Sequence, residues 1–283
     1  MKLTPLQQNA RYARGLGRAL IGAVLFALPL YMTSEMWSFG YVMERERLAL
    51  LLFITFPMLV ALSYFAGFEK AFGLVDHLLD ASAAFGIAVL AAAGTLWVFG
   101  IISHAMTLDV FVGKVALSSF PGSIGAILAD KQLGGRDDAD SKPLARHGSY
   151  GARLFLIAVG AVFLALNVAP TDEMVLIAFH MNAWQAAGLC VLSLVTLHAV
   201  LFLAGFPGEQ LRRGDNDFWS IFVRYSLAGY GMCLLVSLYI LWSFGRTDGV
   251  NICETVEFVV VLAFPAALGA ATAQLVLGDQ RHG

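Results

Sequence analysis

Two glutamates stand in the same local pattern, 138 positions apart. Glu35 lies in Thr33-Ser34-Glu35-Met36 and Glu173 in Thr171-Asp172-Glu173-Met174, each close behind a long apolar run. A carboxylate at membrane depth is costly to keep and marks ion or proton handling by default. Two of them around an axis could form a cation site or a selectivity ring. They could also share a proton, because a like charge raises one of the two pKa values. Thr33, Thr171 and Asp172 would add oxygen ligands. His180 follows Glu173 by seven residues and so returns to the same helix face. Lys114 is a lone cation inside an apolar run.

The same residues also fit a plain helix start. Thr171 or Asp172 would be the N-cap, with Glu173 in the first turn, where its charge complements free N–H groups. Thr33-Ser34-Glu35 reads likewise after Pro29. Segments 36–43 and 174–181 would then be short helices, or continuations past a break. For Lys114 the alternatives are snorkelling to the interface and an ion pair with Asp109, Glu35 or Glu173. Glu254 and Glu257 read as first-turn acids, and Asp76 and Asp80 as residues capping a helix start. His198 reads as a buried, hydrogen-bonded histidine. A single Glu–His pair is thin support for a metal, so no metal or cofactor is expected.

The elements that must position these groups are membrane helices. Of 283 residues, 59% are hydrophobic and 13% charged, against about 25% charged in a soluble domain. The apolar residues gather in runs of the length that crosses about 30 Å of hydrocarbon. The runs are 17–36, 48–68, 80–102, 108–129, 152–169, 183–206, 218–244 and 253–277. Helices follow because lipid offers no partner for backbone N–H and C=O groups. The first run is too long for a signal-peptide core and reads as a retained helix.

The runs repeat. Residues 22–68 align with 160–206 without a gap. Gly22-Ala23-Val24 matches Gly160-Ala161-Val162, and Ala66-Gly67-Phe68 matches Ala204-Gly205-Phe206. Further on, Leu96-Trp97-x-Phe99-Gly100 matches Leu241-Trp242-x-Phe244-Gly245. Phe120-Pro121 and Gly125-Ala126 match Phe264-Pro265 and Gly269-Ala270. Matched Trp, Pro and Glu in the same order are hard to obtain by chance. The expected fold is therefore an all-α membrane protein of eight transmembrane helices. They form two parallel four-helix repeats related by a pseudo-twofold along the membrane normal. Repeat one covers 1–134, a cytoplasmic linker 135–150 and repeat two 151–283. Pro121 and Pro265 are expected to kink paired helices, and Gly125 and Gly269 to let helices pack closely. An axis of this kind would bring Glu35 and Glu173 to equal depth.

Most of the 18 basic residues fall at the N-terminus, the loops near 69–79, 131–151 and 207–217, and the C-terminus. Only Arg45, Arg47 and Arg246 lie on the other side, which puts both termini in the cytoplasm. The net charge of −2 argues against a nucleic-acid partner. Membrane lipid and small ions are the expected partners, with a homo-oligomer open through small residues such as Ala91-Ala92-Ala93-Gly94. Cys190, Cys233 and Cys253 are too scattered for a disulfide framework or a thiolate metal site. H-E-x-x-H, G-x-S-x-G and the Walker lysine loop are all absent. The longest loop, about 20 residues between the fourth and fifth runs, leaves no room for a soluble catalytic domain, and no enzyme is expected.

The stretches FALPLYMTSEMW (26–37), LALNVAPTDEM (164–174), LYILWSFGRTDG (238–249) and FPAALGAA (264–271) resemble a family of bacterial integral membrane proteins of unknown function. The resemblance covers nearly the whole chain. It implies a bacterial inner-membrane location and supplies no mechanism or site. The expectation is a small-ion channel or transporter, for a cation or a proton, with the paired glutamates on the extracytoplasmic side. The alternatives are a non-transporting sensor or scaffold that docks through the basic 131–151 loop, and an intramembrane enzyme acting on lipid.

Overall fold

A computed structural model describes residues 5–66, 73–133, 150–203, 219 and 221–277. All regular structure in them is helical, and eight helices are long and apolar enough to cross a membrane. The chain divides into two compact units, Met1–Lys142 and Pro143–Gly283. The expected linker 135–150 lies outside the described residues, apart from Tyr150.

The first unit contains α1 (Pro5–Tyr31), the short α2 (Ser34–Val42), α3 (Arg45–Ala66), α4 (Leu74–Val98) and α5 (Leu108–Leu133). Helix α5 is its core and packs on the other four. Of its membrane window 72% is buried, against 28% for α1 and 33% for α3 and α4. That contrast explains why α5 carries Ser118, Ser119 and Ser123, all fully buried, while the other helices turn leucine, valine and phenylalanine outward. The second unit contains α6 (Tyr150–Val168), the short α7 (Asp172–His180), α8 (Ala183–Leu203), α9 (Phe222–Ser243) and α10 (Ile252–Leu277). Here α10 is the core, 61% buried, and packs on the other four.

The matched motifs have local physical causes inside each unit. Trp-x-Phe-Gly ends a helix. Gly100 and Gly245 adopt φ of 72° and 69°, a region that favours glycine. The amide of the following residue closes back on the helix, Ile101 onto Leu96 and Arg246 onto Leu241, each at 2.9 Å. This is the Schellman closure. The glycine pairs make close helix contacts. A Cβ at Gly125 would lie 2.7 Å from the Gly22 carbonyl oxygen, and one at Gly269 would lie 2.1 Å from that of Gly160. Met36 and Met174 are the buried anchors of α2 and α7. Capping boxes start α8 through Asn182 and Gln185, and α10 through Asn251 and Glu254. Glu254 is thus the first-turn acid it was expected to be.

The first run ends earlier than the apolar pattern suggests. Helix α1 stops at Tyr31, where the Thr33 hydroxyl donates to the Pro29 carbonyl at 2.6 Å. Glu35 consequently belongs to α2 and not to the first span. Helices α5 and α10 are continuous through Pro121 and Pro265. Each proline lacks an N–H, so the carbonyl four residues earlier, of Leu117 or Val261, loses its helical donor.

Candidate functional site

Thr33 and Thr171 occupy the N-cap positions of α2 and α7 in extended backbone, but neither makes a side-chain cap. Both hydroxyls turn back to the preceding helix, Thr33 to Pro29 and Thr171 to Val168 at 2.8 Å. Glu35 and Glu173 sit in the first turns, where the helix N-terminus favours negative charge. Glu35 is half-buried and accepts the Ser34 hydroxyl at 3.0 Å. Glu173 is exposed. Among the described residues neither carboxylate has a basic partner.

Asp172 is committed elsewhere. The Arg246 guanidinium donates to its carboxylate at 2.8 Å and also to the Pro170 carbonyl. Arg246 is positioned by the Schellman closure at Gly245, directly before it. The first unit uses a different arginine for a similar task. Arg45, at the start of α3, donates to the Gly40 carbonyl of α2 at 3.1 Å and to Asp109 of α5 at 2.6 Å. Each short helix is therefore held at one end by a guanidinium that also neutralises a carboxylate. Lys114 does not pair with Asp109, which Arg45 already holds. Its amine reaches the Ile101 carbonyl at 3.4 Å and lies 5.8 Å from the centre of the Tyr41 ring. His180 shares α7 with Glu173, but its Nδ1 is engaged by the Leu176 carbonyl at 2.7 Å. No group of three or more His, Cys, Asp or Glu side chains suited to a metal occurs among the described residues.

The opposite end of the first unit holds polar groups that sequence spacing does not connect. Ser63 of α3 is 2% exposed. Its hydroxyl lies 3.0 Å from the Asp80 carboxylate and 3.2 Å from His77 Nδ1, both on α4. A serine has one proton to give. With Asp80 ionised that proton goes to the carboxylate, so Ser63 accepts from His77, whose proton then sits on Nδ1. The order is imidazole to hydroxyl to carboxylate. Serine occupies the centre, so this is not the arrangement of a hydrolytic triad, in which histidine stands between the other two. Asp80 does not cap α4, whose cap position is Gly73. It lies about 9 Å along the helix from Leu74, inside a candidate span.

The second unit joins its corresponding pair of spans with the same residue types. His198 of α8 is 7% exposed, as a buried histidine should be, and its Nδ1 lies 2.8 Å from the Ser226 hydroxyl of α9. Ser226 sits in a π-helical turn, Phe222–Leu227. Such turns recur at functional sites. The Phe222 ring stands edge-on to His198 at 5.3 Å.

A family model described as "Putative integral membrane protein (DUF2391)" matches residues 15–277. No curated protein matches the chain, and no solved structure does.

Proposed function

The chain belongs to this integral membrane family, and from that premise we propose that it moves protons or small cations across a bacterial inner membrane. The observation that carries this reading is the Asp80–Ser63–His77 chain. Ionisable residues within membrane spans are rare, and connected Asp, Glu and His groups form proton relays there. Glu35, half-buried and without a basic partner at the α2 end, is the second acidic group of the same unit and offers a cation-attracting entrance. Glu173 repeats it in the second unit.

The architecture we propose is a duplication. Each unit consists of a long helix, a short helix of nine residues and three further spans in that order. Each also has the same Schellman glycine and the same glycine pair between its first and last span. Four spans per unit make the copies parallel, and the excess of basic residues then assigns both termini to the cytoplasm. The Asp80 cluster would face the cytoplasm and Glu35 the outside.

Purified protein in liposomes tests the reading. Under an imposed membrane potential, a pH-sensitive dye and a set of cation dyes should report flux above protein-free liposomes. Losing a hydrogen bond to a charged group costs about 1.5–3 kcal/mol, so Ser63→Ala and Asp80→Asn should each slow that flux roughly tenfold or more. A wild-type protein without flux overturns the proposal, and so does full flux in Asp80→Asn.

A further inference from the structure

One arginine of the second unit has no anionic partner among the described residues. Arg224 lies inside the π-turn Phe222–Leu227, at the start of a candidate span, and is exposed. Among the described residues its guanidinium has no hydrogen bond and no ion pair. Arg45, Arg47 and Arg246 of the same chain each hold a carboxylate. A guanidinium stays charged at any accessible pH and presents five donors in a rigid fork. Exposed at a membrane boundary and without a partner among the described residues, it is open to an anion from outside the fold.

The neighbouring groups fix where that partner must be. Tyr150, the first residue of α6, donates its hydroxyl to the backbone carbonyl of Arg224 at 3.0 Å. It thereby supplies a donor from another helix to a carbonyl of the widened turn and pins the backbone where the arginine side chain departs. The Tyr150 ring lies 5.3 Å from that of Tyr225. On Tyr225 stands the guanidinium of Arg153, 5.4 Å from the ring centre. Arg153 is 8% exposed, and its backbone carbonyl accepts from Gln274 at 2.9 Å. A second guanidinium is thus held on the residue that follows Arg224. Trp219 is 65% exposed and meets Phe222 edge-on at 5.9 Å. Exposed tryptophan and tyrosine settle at headgroup level. Arg224 therefore leaves the helix at the depth of the lipid phosphates, and not in the hydrocarbon or out in solution.

We propose that Arg224, backed by Tyr150, Tyr225 and Arg153, is a binding site for the phosphate of an anionic phospholipid. The fork can take two phosphate oxygens at once. Arg153, stacked on Tyr225 and buried, leaves those oxygens to Arg224. A zwitterionic lipid offers the same phosphate, but its own cation cancels the charge the site attracts. The site selects by net headgroup charge.

The full-length protein, delipidated in neutral detergent, is titrated with phosphatidylglycerol or phosphatidylcholine, with lipid occupancy read by native mass spectrometry. The wild type is expected to bind phosphatidylglycerol more tightly. Arg224→Ala and Arg224→Gln should weaken that binding about fivefold or more, the scale of one basic residue at an anionic surface, and leave phosphatidylcholine unchanged. Thermal stability without lipid should be unchanged in both, because the guanidinium has no partner to lose among the described residues. Arg224→Lys keeps the charge but removes the fork and should lose most of the preference. Full retention in the lysine variant would mean diffuse surface charge and overturn the site, as would equal binding of the two lipids by the wild type. A third arm adds inorganic phosphate. If millimolar phosphate displaces phosphatidylglycerol, the site takes soluble phosphate and the lipid assignment fails. None of these outcomes depends on whether the protein conducts ions.

Discussion

Replacing Gly160 with alanine should force α6 and α10 apart. An alanine Cβ there would stand 2.2 Å from the Gly269 carbonyl oxygen and 2.6 Å from the Ala273 Cβ. Ordinary contact begins at 3.4 Å, so the two backbones must separate by about 1.2 Å. The obstacle is a backbone carbonyl within a helix, which cannot rotate away as a side chain can. In lipid the two helices are held mainly by van der Waals packing, with no hydrophobic drive to close a gap. A gap of about 0.5–1 Å already forfeits a quarter to a half of each contact. Overpacking costs about 1–3 kcal/mol, offset by up to about 1 kcal/mol from the better helix propensity of alanine. The net expectation is a loss of about 1–2 kcal/mol. Gly231→Ala is the internal control. Gly231 lies within α9 and a Cβ there meets nothing within 4 Å, so only the propensity term remains, a gain of up to about 1 kcal/mol. Both variants can be unfolded with SDS in mixed micelles and followed by tryptophan fluorescence. Opposite signs are expected. If Gly160→Ala is as stable as the wild type, or if the two variants shift together, the close contact does not hold this unit together.

Arg246→Gln removes the donor to both Pro170 and Asp172 and should cost about 1–2 kcal/mol in the same assay. A double-mutant cycle with Asp172→Asn should return a coupling of only about 0.2–1 kcal/mol, since Asp172 is 65% exposed and the pair is screened. Lys114→Met should change stability by less than about 1.5 kcal/mol, because the amine holds one long hydrogen bond to a carbonyl. A loss of about 3–5 kcal/mol would instead indicate a buried ion pair.

The spans, the breaks before the two short helices and the close-packing roles of Gly125 and Gly269 were legible because each rests on neighbours in sequence or on a matched motif; the glycines they meet, Gly22 and Gly160, were not. Run length marks a span, and Thr-x-Glu-Met marks the start of a short helix with a buried methionine. What could not be read was pairing across loops. Asp80 looks like a capping acid when α4 is taken alone, and Ser63 looks like one small residue in an apolar run. Their bond exists because α3 returns antiparallel to α4, and nothing in either helix records which positions then meet. An ion pair with Lys114, five residues on, is one sequence alternative for Asp109. The structure gives it to Arg45, 64 positions away, which arrives from α3. The boundary at Tyr31 was missed because Met32 continues the apolar pattern while Thr33 breaks the helix through its hydroxyl.

The matched and unmatched residues divide by role. Gly22 with Gly125, Gly160 with Gly269, the glycines at positive φ, the threonines before the short helices and the buried methionines each have a packing or capping cause within a single unit. On the proposed duplication, their repetition would follow from building the same unit twice and would require no shared ligand. Glu35 and Glu173 belong partly to this group, as first-turn acids of equivalent short helices. The polar groups that folding does not obviously require fall at unmatched positions. Ser63 aligns with Leu201, His198 with Val60 and Lys114 with Phe258. If the units are copies, as proposed, each needs only the common set to fold, and the other positions would be available to diverge. The residues that distinguish the units, Asp80 with Ser63 and His77 in one and Arg224 with His198 and Ser226 in the other, are therefore the better places to seek function. A substitution at Glu35 alone is a weaker test than one at Asp80, because Glu35 complements a helix start while Asp80, two turns into a span, accepts from Ser63 of a neighbouring span.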